Sequence, residues 1–119
     1  MELVALLSSG KGTWGQVAGV IKSDEWDNII LIGDSFAKQF KSEKDFEFIE
    51  IKDAPLAELK EDISKKLKGK IRGTEVALSI ASGTGKEHMA LIAALLSSPV
   101  GIRFTALTKD GLVFMWGWN

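Results

Sequence analysis

The chain has no cysteine, which removes disulfides, thiolate nucleophiles and Cys-ligated zinc or iron–sulfur centres together. It has one histidine, His88, so a multi-histidine metal site is excluded, and neither a metal nor a cofactor is expected. Fifteen basic residues against sixteen acidic ones leave no basic field to attract duplex DNA. No apolar run approaches the roughly 18 residues of a membrane span. The opening MELVALLSSG is apolar, but no basic segment precedes it and no cleavage site follows. It reads as a core strand rather than a signal peptide, which predicts a cytoplasmic protein. Charge is also scarce locally. From Glu75 onward only Glu75, Lys86, Glu87, Arg103, Lys109 and Asp110 are charged.

What is present fits one soluble domain over residues 1–119. Hydrophobic residues make up 45% and charged residues 26% of the chain, ordinary values for a globular protein. Leu3–Leu7 and Asn28–Ile32 are short continuous apolar runs, the pattern of strands buried on both faces. Phe46–Ile51 alternates apolar and acidic residues and predicts a half-exposed edge strand. Glu75–Ile80 is a fourth strand. Ile102–Leu107 and Leu112–Trp116 form a hairpin through Thr108–Gly111.

Between the strands lie helical patterns. Thr13 stands where it would cap a helix carrying Trp14, Val17, Ala18 and Ile21, with Gly15 and Gly19 on an adjoining face. A short helix runs through Phe36 and Phe40. Pro55 opens a solvated helix whose apolar stripe is Leu56, Leu59, Ile63 and Leu67. Glu87–Leu96 is apolar on almost every side, so it is expected to be a central buried helix or, preferably, a subunit interface. Trp116 and Trp118 would be core or interface residues. The alternation predicts an α/β, Rossmann-like fold: a mostly parallel sheet, helices on both faces and an antiparallel C-terminal edge strand.

Strands 1 and 4 end in related turns, SSGKGT and ASGTGK. In the 3-2-1-4-5 order these strands are neighbours, and the crevice at their carboxyl ends is where such sheets bind ligands. Glycines let a backbone approach an anion, and each turn feeds a helix N-terminus that favours phosphate. The candidate ligand-binding residues are therefore Ser8, Ser9, Gly10, Lys11, Gly12 and Thr13 in the first turn. In the second they are Ser82, Gly83, Thr84, Gly85 and Lys86. Neither turn is a P-loop, because Gly10-Lys11 is followed by Gly12 and Gly85-Lys86 by Glu87. Gly10, Gly12 and Gly15 do match the GxGxxG dinucleotide fingerprint, with Asp34 downstream as a ribose acid. Capping of the short helix explains Asp34 by itself and is the preferred reading. Trp14 could stack on a base or pack in the core.

The Ser-rich first turn, the G-T-G-K second turn opening an apolar helix, and the closing antiparallel strand resemble the CARF (CRISPR-associated Rossmann fold) domains of antiviral defence. The resemblance covers nearly the whole chain, and the second turn carries most of it. It implies a stand-alone homodimer whose paired turns hold a cyclic oligoadenylate. In ring-nuclease members a first-turn Ser and the second-turn Lys act in binding and cleavage, which by position are Ser8 or Ser9 and Lys86. His88, two residues beyond, is a candidate general acid or base, with a helix-start histidine packing at the interface as the preferred alternative. The family turn is closer to T-G-G-T-K, so Gly and Thr are exchanged here and the role of Thr84 departs from the pattern. Two rival readings stand beside this one: a non-catalytic sensor or accessory module acting through the apolar C-terminal half, and a mononucleotide or dinucleotide coenzyme binder.

Overall fold

The computed structural model describes residues 1–8 and 13–115. The candidate residues Ser9, Gly10, Lys11 and Gly12, and the tryptophans Trp116 and Trp118, lie outside them. The elements follow in the order β1 (Glu2–Leu7), α1 (Trp14–Lys22), β2 (Asn28–Gly33), a 3-10 turn (Ser35–Gln39), β3 (Glu47–Glu50), α2 (Leu56–Leu67), β4 (Glu75–Ser79), α3 (Gly85–Leu96), β5 (Gly101–Thr108) and β6 (Gly111–Met115). The strands form one sheet in the order β3-β2-β1-β4-β5-β6. All neighbours are parallel except β5 and β6. This is the Rossmann-like α/β architecture that the strand–helix alternation predicts.

The continuous apolar runs follow from two-sided burial. Val4 and Leu6 of β1 join Ile30, Ile32, Val76 and Leu78 under α2 and α3. Leu3, Ala5 and Leu7 join Ile29, Leu31 and Ala77 under α1 and the 3-10 turn. Successive side chains of a strand point to opposite faces, so a strand covered on both sides must be apolar at every position. β3 lies at the sheet edge, as its acidic alternation predicts. Glu50 meets Lys38 at 2.6 Å, and Glu47 pairs with Lys70.

Three local readings need correction. Thr13 occupies the N-cap position of α1 but makes no side-chain cap bond. Leu56 falls off the buried stripe of α2 and is 40% exposed, while Leu59, Ile63 and Leu67 are buried. α3 is not buried all round. Ala90, Leu91, Ala94 and Leu95 face the core, whereas Met89 and Leu96 are 59% and 69% exposed. Its outer side is left open because the sheet and α2 can cover only part of one helix surface.

Glu2 is the one buried acid among the described residues. Its carboxylate accepts from the Arg72 N–H at 2.9 Å, the Gly73 N–H at 2.6 Å and the Asn28 amide at 3.0 Å. Burial alone would raise its pKa, but these donors outweigh it and hold the carboxyl below its ordinary value. The bonds clamp the segment before β4 to the start of β1. Glu2→Ala should cost about 2–3 kcal/mol in urea unfolding at pH 7, the worth of bonds to a charged acceptor. A depressed folded pKa stabilises above the unfolded value and is lost as pH falls through the folded one. The parent should therefore lose stability on going to acid below about pH 4, and Glu2→Gln should lose less over that interval.

Candidate functional site

β1 and β4 are hydrogen-bonded neighbours, with Ala5 opposite Ser79, so both strands deliver their turns to the same end of the sheet. The turns are bonded to each other through Ser82. This residue is 1% exposed, and its Oγ accepts from the Ser8 N–H at 2.8 Å and from the Thr13 hydroxyl at 2.7 Å. The Thr13 hydroxyl is thereby taken from the cap bond expected of it. Trp14 completes the junction: its indole N–H donates to the Ser8 carbonyl at 2.8 Å. The ring also packs at 5.7 Å from Phe36 and 5.9 Å from Phe40, so of its two readings the structure displays core packing.

The second turn is shaped by one glycine. Gly83 has φ +103°, a conformation open to glycine at little cost, and an added Cβ would press on Glu87 Oε1, His88 Nε2 and Leu6 Cδ1, each at 3.3 Å. Gly85 has no positive φ, and a Cβ there would meet nothing within 4 Å. The second glycine of the turn is therefore not required by the backbone. It stands at the open side of the helix start.

Thr84 and Glu87 form a capping box on α3. Thr84 Oγ1 accepts from the Glu87 N–H at 3.1 Å, and Glu87 Oε1 accepts from the Thr84 N–H at 2.8 Å. This assigns Thr84 a structural task and leaves the N–H groups of Gly85 and Lys86 with no acceptor among the described residues. His88 Nε2 lies 2.9 Å from the Ser82 carbonyl. A carbonyl only accepts, so this nitrogen carries the proton and donates. The imidazole braces the turn from inside.

Lys86 is not isolated at the start of α3. Its ammonium pairs with Asp53, a residue between β3 and α2 that the sequence pattern did not single out. That pairing, through a hydrogen bond and the lysine charge, holds the Asp53 carboxyl below its ordinary range. No local motif could have marked Asp53, because it meets Lys86 only through the packing of α2 beside α3. Ser79 was equally illegible: it ends β4 fully buried, and its hydroxyl has no hydrogen-bond partner among the described residues. Asp34 caps the 3-10 turn, its Oδ1 accepting from the Ala37 N–H at 3.1 Å. The ribose-binding acid of the dinucleotide reading is engaged in local structure.

The two glycines make opposite demands, and substitution separates them. Gly83→Ala should destabilise by more than about 1 kcal/mol, because φ must stay positive against three close neighbours. Gly85→Ala should leave stability unchanged or raise it by up to about 1 kcal/mol. Chemical denaturation of both variants checks the contrast. No protein-family model matches the chain and no curated protein sequence is significantly similar to it, so the geometry of these two turns is the observation on which function has to be argued.

Proposed function

We propose that the crevice between the β1 and β4 turns binds a phosphate-bearing nucleotide, with a cyclic oligoadenylate as the ligand suggested by the CARF resemblance. The observation that carries this reading is the Ser8–Ser82–Thr13 junction, which locks two helix-feeding turns together at the switch point of a parallel sheet. Two free N–H groups at the start of α3 and the Lys86 ammonium supply donors of the kind a phosphate oxygen takes. Lys11, next to the same strand end in sequence, would add a second cation.

Among the described residues, the groups that bind are better provided than those that cleave. Of the cleavage candidates, His88 Nε2 is engaged in holding the turn, and Ser9 lies outside the described residues. Cleavage without metal remains open to the ligand itself. The ribose 2′-hydroxyl would give its proton to water and attack the adjacent phosphorus, forming a 2′,3′-cyclic phosphate as the P–O5′ bond to the next nucleotide breaks and O5′ takes a proton, while Lys86 and the α3 N–H groups stabilise the developing charge.

The proposal includes a homodimer. Met89 and Leu96 lie exposed on α3, Ile92 is partly covered on the same helix, and Ile102 and Phe104 of β5 are partly buried against the same core. The charged residues of the C-terminal third are balanced in sign, so two copies could approach on this side without net repulsion. Light scattering at about tens of micromolar should give twice the chain mass, since an apolar interface holds at that concentration. Met89→Lys combined with Leu96→Lys should return a monomer. A parent that is already monomeric refutes the dimer.

Incubation with labelled cyclic tetra-adenylate in EDTA tests the ligand. Retention of intact ligand identifies a sensor, linear products identify a metal-independent nuclease, and absence of binding removes the cyclic-oligoadenylate reading. Lys86→Ala should weaken binding by roughly 1.5–3 kcal/mol, the worth of a charge-assisted hydrogen bond, with little change in melting temperature. Lys65→Ala, on the solvated face of α2, should change neither.

A further inference from the structure

We propose that Asp53 is a displaceable internal anion: its carboxylate occupies Lys86 in the resting protein and has to leave before a phosphate group can take its place. This rests on the phosphate-binding reading above and adds a specificity-determining residue to it. β3 runs parallel to β1 and β4, so its carboxyl end lies on the same side of the sheet as the two turns. The Ile51 N–H donates to the Gly33 carbonyl at 2.8 Å and secures that end. The chain then turns into α2, which packs beside α3, and Asp53 reaches the ammonium at the start of α3.

Two features make this contact an occupant rather than a brace. Asp53 is 89% exposed at its side chain, and among the described residues Lys86 is the side chain that holds it. Local charge gives the second reason. The first turn of α3 also carries the Glu87 carboxylate, committed to the capping box, so among the described residues at this helix start the Lys86 ammonium stands against two carboxylates. An anion entering with Asp53 in place meets a negative surrounding; with Asp53 swung out, the remaining charges cancel.

The exchange favours phosphate over carboxylate. A phosphate group offers oxygens to the Gly85 and Lys86 N–H groups as well as to the Lys86 ammonium. A ligand carboxylate with a single reachable oxygen would only replace what Asp53 already provides. Asp53 therefore sets a threshold: a ligand succeeds by bringing more acceptors or more charge than one carboxylate.

Calorimetric titration with inorganic pyrophosphate tests this on four proteins: the parent, Asp53→Asn, Lys86→Ala and the double variant. Asn keeps the size and one acceptor oxygen and removes the charge, and melting curves confirm that each variant folds. The expected result is binding that weakens at least tenfold in Lys86→Ala and tightens up to about fivefold in Asp53→Asn, the range set by an exposed ion pair. The double variant should bind no better than Lys86→Ala. If Lys86→Ala weakens binding but Asp53→Asn changes nothing, Asp53 is a passive surface partner and the inference falls while the site reading stands. A gain that persists in the double variant also overturns it, because Asp53 would then act by general repulsion. If Lys86→Ala binds like the parent, or the parent does not bind, the site reading fails and takes the inference with it.

Discussion

Strand β1 has no side exposed to water. All six of its residues are buried, with β2 and β4 bonded along its edges and helices over both faces. Burying five aliphatic side chains in full is worth on the order of 10 kcal/mol, comparable with the net stability of a small domain. That demand places the other elements. α2 and α3 cover the face lined by Val4 and Leu6, while α1 covers the face of Leu3, Ala5 and Leu7. A polar bond fastens each end of the strand: the Glu2 carboxylate to the segment before β4, and the Ser8 N–H to Ser82. The start of α3 lies beside the second fastening.

The junction there shows how one set of atoms can serve structure while leaving a few donors exposed. Ser82, Thr13, Trp14 and His88 direct their polar groups inward and hold the turns in register. Thr84 and Glu87 satisfy two of the orphan donors at the helix start. What faces outward is a smaller set: the N–H groups of Gly85 and Lys86, the open side of Gly85, and the Lys86 ammonium with its Asp53 partner. A rigid inner layer carrying a few exposed donors is preorganised, and it spends little entropy when a ligand arrives.

Much of this was legible in the residues. Apolar runs at Leu3–Leu7 and Asn28–Ile32 announce strands buried on both faces, and the alternation at Phe46–Ile51 announces an edge. Asp34 before a short helix is a cap in the sequence and a cap in the structure. The places where the reading slipped share a cause. Thr13 is a good capping residue by type, but a buried acceptor, Ser82 Oγ, lies 69 positions away and takes its hydroxyl. Leu56 keeps helical spacing, yet it sits at the end of α2 where no neighbour covers it. α3 carries apolar residues all round, but only one side of it meets α2 and the sheet.

By itself the sequence determined the element order, the parallel sheet with its antiparallel edge, and the delivery of the two glycine turns to one end of that sheet. Those features depend on side-chain period, backbone freedom and short-range connection, which neighbouring residues encode directly. Tertiary structure alone decided that Ser82 binds the turns together, that His88 braces rather than faces the crevice with its Nε2, and that Asp53 holds Lys86. Each of these is a contact between residues or orientations that no local pattern specifies. Such contacts exist because packing α2 against α3 and β1 against β4 brings particular polar atoms within about 3 Å of one another, and a buried or low-dielectric polar atom takes whichever partner that packing supplies.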